Sequence, residues 1–163
     1  MSKWMIALSA LLVVNTVVAA GSGASRSSYL SGAERTYNSG VKLMLNKQFE
    51  DAEVKFRKAI ERDEDFAKAH NNLAYTLRKQ GRANFEEALS HYNRAIELEP
   101  KLAEPYMYRG VLYVQMDKPN LAKEDLDTLA QLDSDLAKEL RHVIDQGQEK
   151  APEQFFGVSK AVK

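Results

Sequence analysis

A pattern of residues that recurs along the chain constrains its fold more than any other feature of the sequence. Residues 48–64 (QFEDAEVKFRKAIERDE) and 84–100 (NFEEALSHYNRAIELEP) share an Ala, an aromatic residue four positions later and a second Ala three positions after that. A weaker third copy follows, so the first small residue of the pattern falls at Ala52, Ala88 and Ala122. Self-similarity with a period of about 35 residues is typical of proteins that stack one supersecondary unit. We therefore expect three stacked units, each of which buries its apolar face against its neighbours.

Each copy is preceded by a second short pattern, centred on Gly40, Ala74 and Gly110. The two patterns together resemble the tetratricopeptide repeat, whose unit of about 34 residues is a pair of antiparallel helices. The resemblance covers about residues 33–134, and three aligned copies make it specific. It implies an all-α fold, an α-solenoid of three helix pairs in which small residues allow the helices to cross closely.

The resemblance divides the chain into a helical domain, residues 29–147, and a polar tail, residues 148–163, which we expect to be disordered. A C-terminal capping helix covers the last repeat, because DLAKELRHVIDQ carries apolar residues at helical spacing. The three repeats and the capping helix lie at about 33–66, 67–102, 103–134 and 134–147. The predicted helices are residues 30–46, 49–63, 65–80, 84–98, 101–116, 119–132 and 134–147.

The first 20 residues are typical of a secretory signal peptide. Lys3 precedes an apolar run at residues 5–20, and small residues follow it. The run of 16 residues is short for a membrane-spanning helix, which needs about 20. We expect cleavage after Ala20, a linker at residues 21–28 and a periplasmic or secreted protein; an uncleaved membrane anchor is the alternative.

Composition and motifs argue against several classes of function. Lys plus Arg equals Asp plus Glu at 23 each, so no basic excess favours nucleic-acid binding. The chain has no Cys, which excludes disulfides, thiolate catalysis and Cys-ligated metals. The spacing of its three His residues matches no metal motif, and no nucleophile motif or phosphate-binding loop is present. We expect neither a metal nor a cofactor, and we do not expect an enzyme.

The resemblance implies that the first helix of each repeat lines a concave groove that binds peptides. Asn38 and Asn72 occupy the same position in consecutive repeats, where an amide can donate to and accept from a peptide backbone. Arg78 and Lys79 either meet a carboxylate of the ligand or lie on a solvated face. The predicted groove residues are Tyr37, Asn38, Val41, Asn71, Asn72, Tyr75, Arg78, Lys79, Tyr108 and Val111.

Two features of this groove limit what it is expected to bind. The family's carboxylate clamp uses Lys and Arg on the first and third repeats, but here Tyr37, Val41, Glu104 and Tyr108 occupy those positions. We therefore do not predict that clamp. The groove tyrosines either contact the ligand or pack between helices, and the sequence does not decide between these alternatives.

The expected function is binding of a protein or peptide segment, as an accessory in the assembly or maturation of other proteins. The alternative is a self-associating scaffold, a homo-oligomer in which the groove of one copy takes the tail or end helix of another. Phe155 and Phe156 are the large apolar residues of the tail. They pack on the capping helix, dock on a partner or fill the groove; the sequence leaves these alternatives open.

Overall fold

The computed structural model describes residues 30–149 and 160–163, and within them the regular structure is almost entirely α-helical. Seven α-helices follow one another, and a short 3-10 turn (Arg82–Asn84) precedes the fourth. Each helix begins and ends within two residues of its predicted bounds. The predicted signal peptide, the linker and both tail phenylalanines lie outside the described residues. The helices are α1 (Gly32–Leu45), α2 (Phe49–Arg62), α3 (Ala67–Gln80), α4 (Phe85–Leu98), α5 (Ala103–Gln115), α6 (Pro119–Gln131) and α7 (Leu136–Gln146).

The helices pack as three consecutive pairs. α1 packs on α2, α3 on α4 and α5 on α6, and each pair contacts the next through its neighbouring helices. α7 lies against both α5 and α6, which places it as a cap on the last pair. The predicted all-α solenoid of three helix pairs and a capping helix is therefore confirmed.

Small residues allow these close helix packings. Ala52, Ala88 and Ala122 are completely buried, one in the second helix of each pair. A Cβ atom added to Gly40 would lie 2.7 Å from Cε1 of Phe56, closer than side chains tolerate. A Cβ atom added to Gly110 would lie 2.5 Å from Cδ2 of Leu140. In the third repeat, the absence of a side chain at Gly110 therefore allows Leu140 of the capping helix to pack closely against α5.

Local signals fix where two of the helices begin and end. At the start of α1, the Ser31 hydroxyl accepts from the backbone N–H of Glu34 (3.1 Å), while the Glu34 carboxylate accepts from the N–H of Ser31 (2.6 Å). This reciprocal pair satisfies N–H groups that lack partners inside the helix. α7 ends at Gly147, whose φ of 72° is left-handed and favours glycine. That turn directs the chain out of the helix just before Glu149.

Within residues 30–149 and 160–163, none of the helices combines the length and the apolar character that crossing a bilayer requires.

Candidate functional site

The ten predicted groove residues all lie on α1, α3 and α5, the first helices of the three pairs. These helices are neighbours, since α3 contacts both α1 and α5. We use "groove" for the surface that the ten residues form. Eight of them are buried, and only Asn38 and Lys79 keep intermediate exposure.

Asn38 binds the backbone of the chain's own tail. Its Nδ2 donates to the carbonyl of Val162 at 2.8 Å, and its Oδ1 accepts from the N–H of the same residue at 2.9 Å. One carboxamide thus satisfies both polar groups of one residue, without touching a side-chain polar atom. Such a contact recognises an extended backbone and is indifferent to sequence. These hydrogen bonds place Val162, which belongs to the tail predicted to be disordered, against α1.

A chain of hydrogen bonds connects the tail, through Tyr37, to the side chains of Asn72 and Asn71 on α3. The Tyr37 hydroxyl donates to the carbonyl of Lys160 at 3.0 Å and accepts from Nδ2 of Asn72 at 3.0 Å. Nδ2 of Asn71 in turn donates to Oδ1 of Asn72 at 3.1 Å. Burial, reinforced by the nearby Glu104 carboxylate, raises the pKa of Tyr37 well above its ordinary value. The Tyr37 hydroxyl therefore keeps its proton and remains a donor.

At the other end of the groove, Arg78 makes a buried ion pair with Glu149. Its Nη1 and Nη2 donate to the two carboxylate oxygens of Glu149 at 3.0 and 2.9 Å, a bidentate arrangement. Nη1 also donates to Oε1 of Gln115 at 3.2 Å. The carbon at the centre of the guanidinium lies 5.4 Å from the ring centre of Tyr75 and 5.2 Å from that of Tyr108. The guanidinium is therefore held by two aromatic rings and one carboxylate.

Each member of this ion pair stabilises the charged form of the other. Burial alone would lower the pKa of Arg78, but Glu149 together with Tyr92 and Tyr108 outweighs burial, so the pKa is raised. Burial alone would raise the pKa of Glu149, but Arg78 together with Lys79 outweighs burial, so the pKa is lowered. Lys79 stands nearby, with Nζ 3.9 Å from the Glu149 carboxylate, and its pKa is lowered chiefly by burial. The site is built to hold a negatively charged group.

Comparison with known proteins identifies the repeating unit. A sequence model described as "TPR repeat" matches residues 83–117, and one described as "Tetratricopeptide repeat" matches residues 55–89. The chain contains tetratricopeptide repeats. The predicted resemblance is confirmed.

Curated relatives share the repeats of this chain over part of their length. It is 32% identical over 121 residues to tetratricopeptide repeat protein 36 of Xenopus tropicalis, covering 72% of the present chain and 59% of the relative. It is 35% identical over 75 residues to Hsc70-interacting protein 1 of Drosophila melanogaster, covering 46% of the present chain and 20% of the relative. The chain thus spans about a fifth to three fifths of these relatives.

Solved structures with the same fold include two complexes, one of them with a peptide. The tetratricopeptide domain titled "TPR2B-domain:pHsp70-complex of yeast Sti1" matches 71% of this chain and 98% of its own, with a TM-score of 0.64 and 22% identity. The "First TPR of Spaghetti (RPAP3) bound to HSP90 peptide SRMEEVD" matches 71% of this chain and 91% of its own, with a TM-score of 0.63 and 24% identity. At these identities the likeness shows the fold alone.

The predicted groove residues fall into three groups in the structure. Tyr37, Asn38, Asn71 and Asn72 form the cluster near Val162, and Tyr75, Arg78, Lys79 and Tyr108 form the cluster around Glu149. Val41 and Val111 belong to the hydrophobic core. For Arg78, the alternative of a solvated face is wrong, because its side chain is completely buried. The tyrosines pack between helices, and the hydroxyl of Tyr37 also contacts the tail.

Sequence reasoning missed the residues that fill the groove, Glu149 and Val162. Neither belongs to a repeat, so no periodic pattern marked them. It also missed a pair formed by His70 and His91, whose Nδ1 atoms are 2.8 Å apart. The two residues lie on α3 and α4, and only the packing of these helices brings them together. Among the described residues, no group of three or more acidic or His side chains is placed to hold a metal ion.

Proposed function

We propose that the groove binds an extended segment of another protein, chiefly through the backbone of that segment. The observation that carries the proposal is the double hydrogen bond between the Asn38 carboxamide and the peptide groups of Val162. A surface that already holds one extended strand of peptide in this way has the geometry to hold another. The peptide complexes formed by proteins of the same fold support the proposal.

The role that fits this site is binding, and catalysis is not part of the proposal. The titratable groups of the groove are the hydroxyls of three tyrosines, the ammonium group of Lys79, and Arg78, which is paired with Glu149. An acid or base catalyst needs a group whose pKa lies near the working pH and which faces the substrate. The pKa values of the tyrosines and of Arg78 are raised away from neutrality, whereas burial lowers that of Lys79.

The proposal also places the protein outside the cytoplasm, as an accessory that helps to assemble or mature other envelope or secreted proteins. Its basis is the signal-like pattern of residues 1–20, with cleavage after Ala20. Fractionation of the native host tests the location: the mature protein is expected in the periplasm or medium, shortened at its N-terminus. A full-length protein in the cytoplasm would contradict export and leave the groove proposal standing.

Affinity purification from the fraction that contains the protein tests the binding function. Asn38→Ala removes both hydrogen bonds to the backbone, whereas Asn120→Ala changes an exposed amide on α6, outside the groove. We expect the wild type and the Asn120 variant to retain the same partner and the Asn38 variant to lose it. Retention of every partner by the Asn38 variant would show that binding occurs elsewhere.

Self-association is the second candidate, because the groove is seen to accept this chain's own tail. The same contact made between two copies would give a dimer or a chain of copies. Analytical ultracentrifugation over a hundredfold range of concentration separates the two candidates. A mass that rises with concentration in the wild type, and not in the Asn38→Ala variant, supports the scaffold; a constant monomer mass removes it.

A further inference from the structure

We infer that Glu149 and residues 160–163 act as an intramolecular ligand of the groove, and that a partner must displace them with an extended segment carrying a carboxylate. The inference rests on the proposed function, since it names what competes for the groove and which chemistry replaces it. Two contacts carry it, one at each end of the groove.

The first contact makes the competition direct. The Nδ2 and Oδ1 atoms of Asn38 are both engaged by the backbone of Val162, at 2.8 and 2.9 Å. A carboxamide whose donor and acceptor atoms are both engaged by the backbone of one residue cannot pair in the same way with a second strand at the same time. A partner that uses Asn38 therefore removes Val162 first.

The second contact sets the chemistry of the partner. The side chain of Arg78 has no exposed surface, while that of Glu149 is 27% exposed. Removal of Glu149 would leave a buried cation without its counter-ion, which is costly. A segment that displaces Glu149 must therefore supply an anion of its own. The bidentate geometry, with oxygens 3.0 and 2.9 Å from the two terminal nitrogens, fits a carboxylate side chain.

The covalent connection makes this internal ligand a strong competitor. Only ten residues of sequence separate Glu149 from residue 160, so the second contact forms at an effective concentration on the order of 1 mM. With an intrinsic dissociation constant of about 0.1 mM for the tail contact, a partner segment would then bind the intact chain about tenfold more weakly than a chain whose tail is released. The tail thus raises the affinity that a partner needs.

Hydrogen exchange in the full-length chain tests the first contact without any partner. The N–H of Val162 is expected to exchange about tenfold more slowly than in the Asn38→Ala variant, since the hydrogen bond to Oδ1 is its protection. The Asn120→Ala variant is the control and is expected to keep the protection. Equal exchange of Val162 in the wild type and the Asn38 variant would overturn the inference.

Proline substitution in the full-length chain tests the competition. Val162→Pro removes the N–H group that donates to Oδ1 of Asn38. Ala161→Pro is the matched control, because it places the same ring at an exposed neighbouring residue. The probe is a fluorescent synthetic peptide with the sequence of residues 149–163, EKAPEQFFGVSKAVK, amidated at its end. We expect its dissociation constant to be about tenfold lower for the Val162 variant than for the wild type. The Ala161 variant should resemble the wild type.

The remaining outcomes of this titration have separate meanings. Equal binding of the probe to the wild type and the Val162 variant would overturn the internal competition while leaving an open groove and the proposed function intact. No binding to any variant would overturn the inference, because the tail sequence would then have no affinity for the groove. The proposed function would still be decided by the partner purification with Asn38→Ala, so the two failures are distinguishable.

The requirement for a carboxylate has its own test. Glu149→Gln in the full-length chain removes the internal anion from Arg78, and two probes are compared on this variant: the peptide above and the same peptide with Gln at its first position. The acidic probe is expected to bind about tenfold more tightly, because charge-assisted pairs with a buried cation are strong. Equal affinity of the two probes would remove the carboxylate from the inference. If this variant does not fold, the Val162 variant still tests the competition.

Discussion

Removing Arg78 and removing Glu149 are expected to cost different amounts of folding stability, although either change breaks the same ion pair. Arg78 is fully enclosed by Tyr75, Tyr108 and the helices, so its charge has no route to water, whereas Glu149 keeps part of its surface exposed. The cost of breaking a buried pair comes mainly from the charge that stays behind. The position of each partner therefore decides which substitution is more damaging.

We expect Glu149→Gln to lower the free energy of unfolding by about 3 kcal/mol, because it leaves the Arg78 cation buried and unpaired. Arg78→Met is expected to cost about 1 kcal/mol, since Glu149 can then turn toward water and the methionine still packs between the rings. Urea denaturation measures both, with Glu50→Gln at an exposed position of α2 as the control. The reverse order of the two effects would show that the buried charge is not the dominant cost.

The His70–His91 pair makes stability depend on pH. Burial, with His70 and Arg57 acting in the same direction and Glu87 opposing, lowers the pKa of His91 to about 4. Burial also lowers the pKa of His70, with Arg94 acting in the same direction and the carbonyl of Glu64 and Asp65 opposing. Both residues are therefore neutral in the folded chain at pH values where the unfolded chain already binds protons.

The sign of the effect follows from this difference. As pH falls from about 6.5 toward 4, the histidines bind protons in the unfolded state but not in the folded state. The free energy of unfolding therefore decreases over that range of pH. We expect a loss of about 2 kcal/mol for the wild type, and a shallower loss for His91→Gln, measured by urea denaturation at intervals of pH. Carboxylates such as Glu149 contribute mainly at lower pH, because their pKa is lowered. Identical profiles of the two proteins would refute the role of the pair.

The capping helix shows how one glycine positions a functional residue. Gly110 on α5 leaves the space that Leu140 of α7 fills, and α7 ends only three residues before Glu149. The depth at which α7 docks therefore affects where Glu149 meets Arg78. A change at the interface of α5 and α7 is expected to reach the groove through this connection.

We expect Gly110→Ala to destabilise the fold by about 2 kcal/mol, because the new methyl group overlaps Leu140. Leu140→Ala should cost about 3 kcal/mol through the cavity that it leaves. The double variant should cost less than the sum, since the methyl group of one occupies space released by the other. Urea denaturation of the wild type, the two single variants and the double variant completes the double-mutant cycle. Gly32→Ala is the neutral control, because its added Cβ atom would lie no closer than 3.7 Å to a neighbouring atom. Strict additivity would mean that the two residues do not share this space.

The helices were predictable from the sequence because the pattern is periodic, so that a position identified in one copy predicts the role of the equivalent position in the other copies. Gly40, Ala74 and Gly110 identified the packing positions, and the same register placed Asn38, Asn72 and Arg78 on the first helices of their pairs. The environment of Arg78 was not predictable, since a charged residue near the end of a helix is usually solvated. The contacts of Glu149, Val162 and the two histidines depend on tertiary packing between segments that share no pattern.

The stacked architecture means that stability is distributed pair by pair. The first pair, α1 with α2, has a neighbour on one side only, and residues 160–163 lie on its free groove surface through Tyr37 and Asn38. The last pair is covered by α7. The two ends of the solenoid are thus protected by different parts of the C-terminal region.

Releasing the tail should therefore loosen one end of the solenoid and spare the other. In Val162→Pro we expect amide exchange to accelerate about threefold to tenfold in α1 and α2, with little change in α5 and α6. Residue-resolved exchange of the full-length chain measures this, and Ala161→Pro is the comparison. A uniform acceleration along the chain would show that the solenoid unfolds as one cooperative unit.

The pairing of Asn38 with main-chain atoms also determines which mutagenesis strategy can detect it. An alanine scan of Lys160 and Val162 leaves their carbonyl and N–H groups in place, so it would report almost nothing about the polar contact. For the same reason, natural selection can let the exposed side chain of Lys160 drift while the interaction persists, whereas the side chain of Val162 also packs against the hydrophobic core. Similarity searches restricted to side-chain identity would overlook the main-chain contact in related sequences.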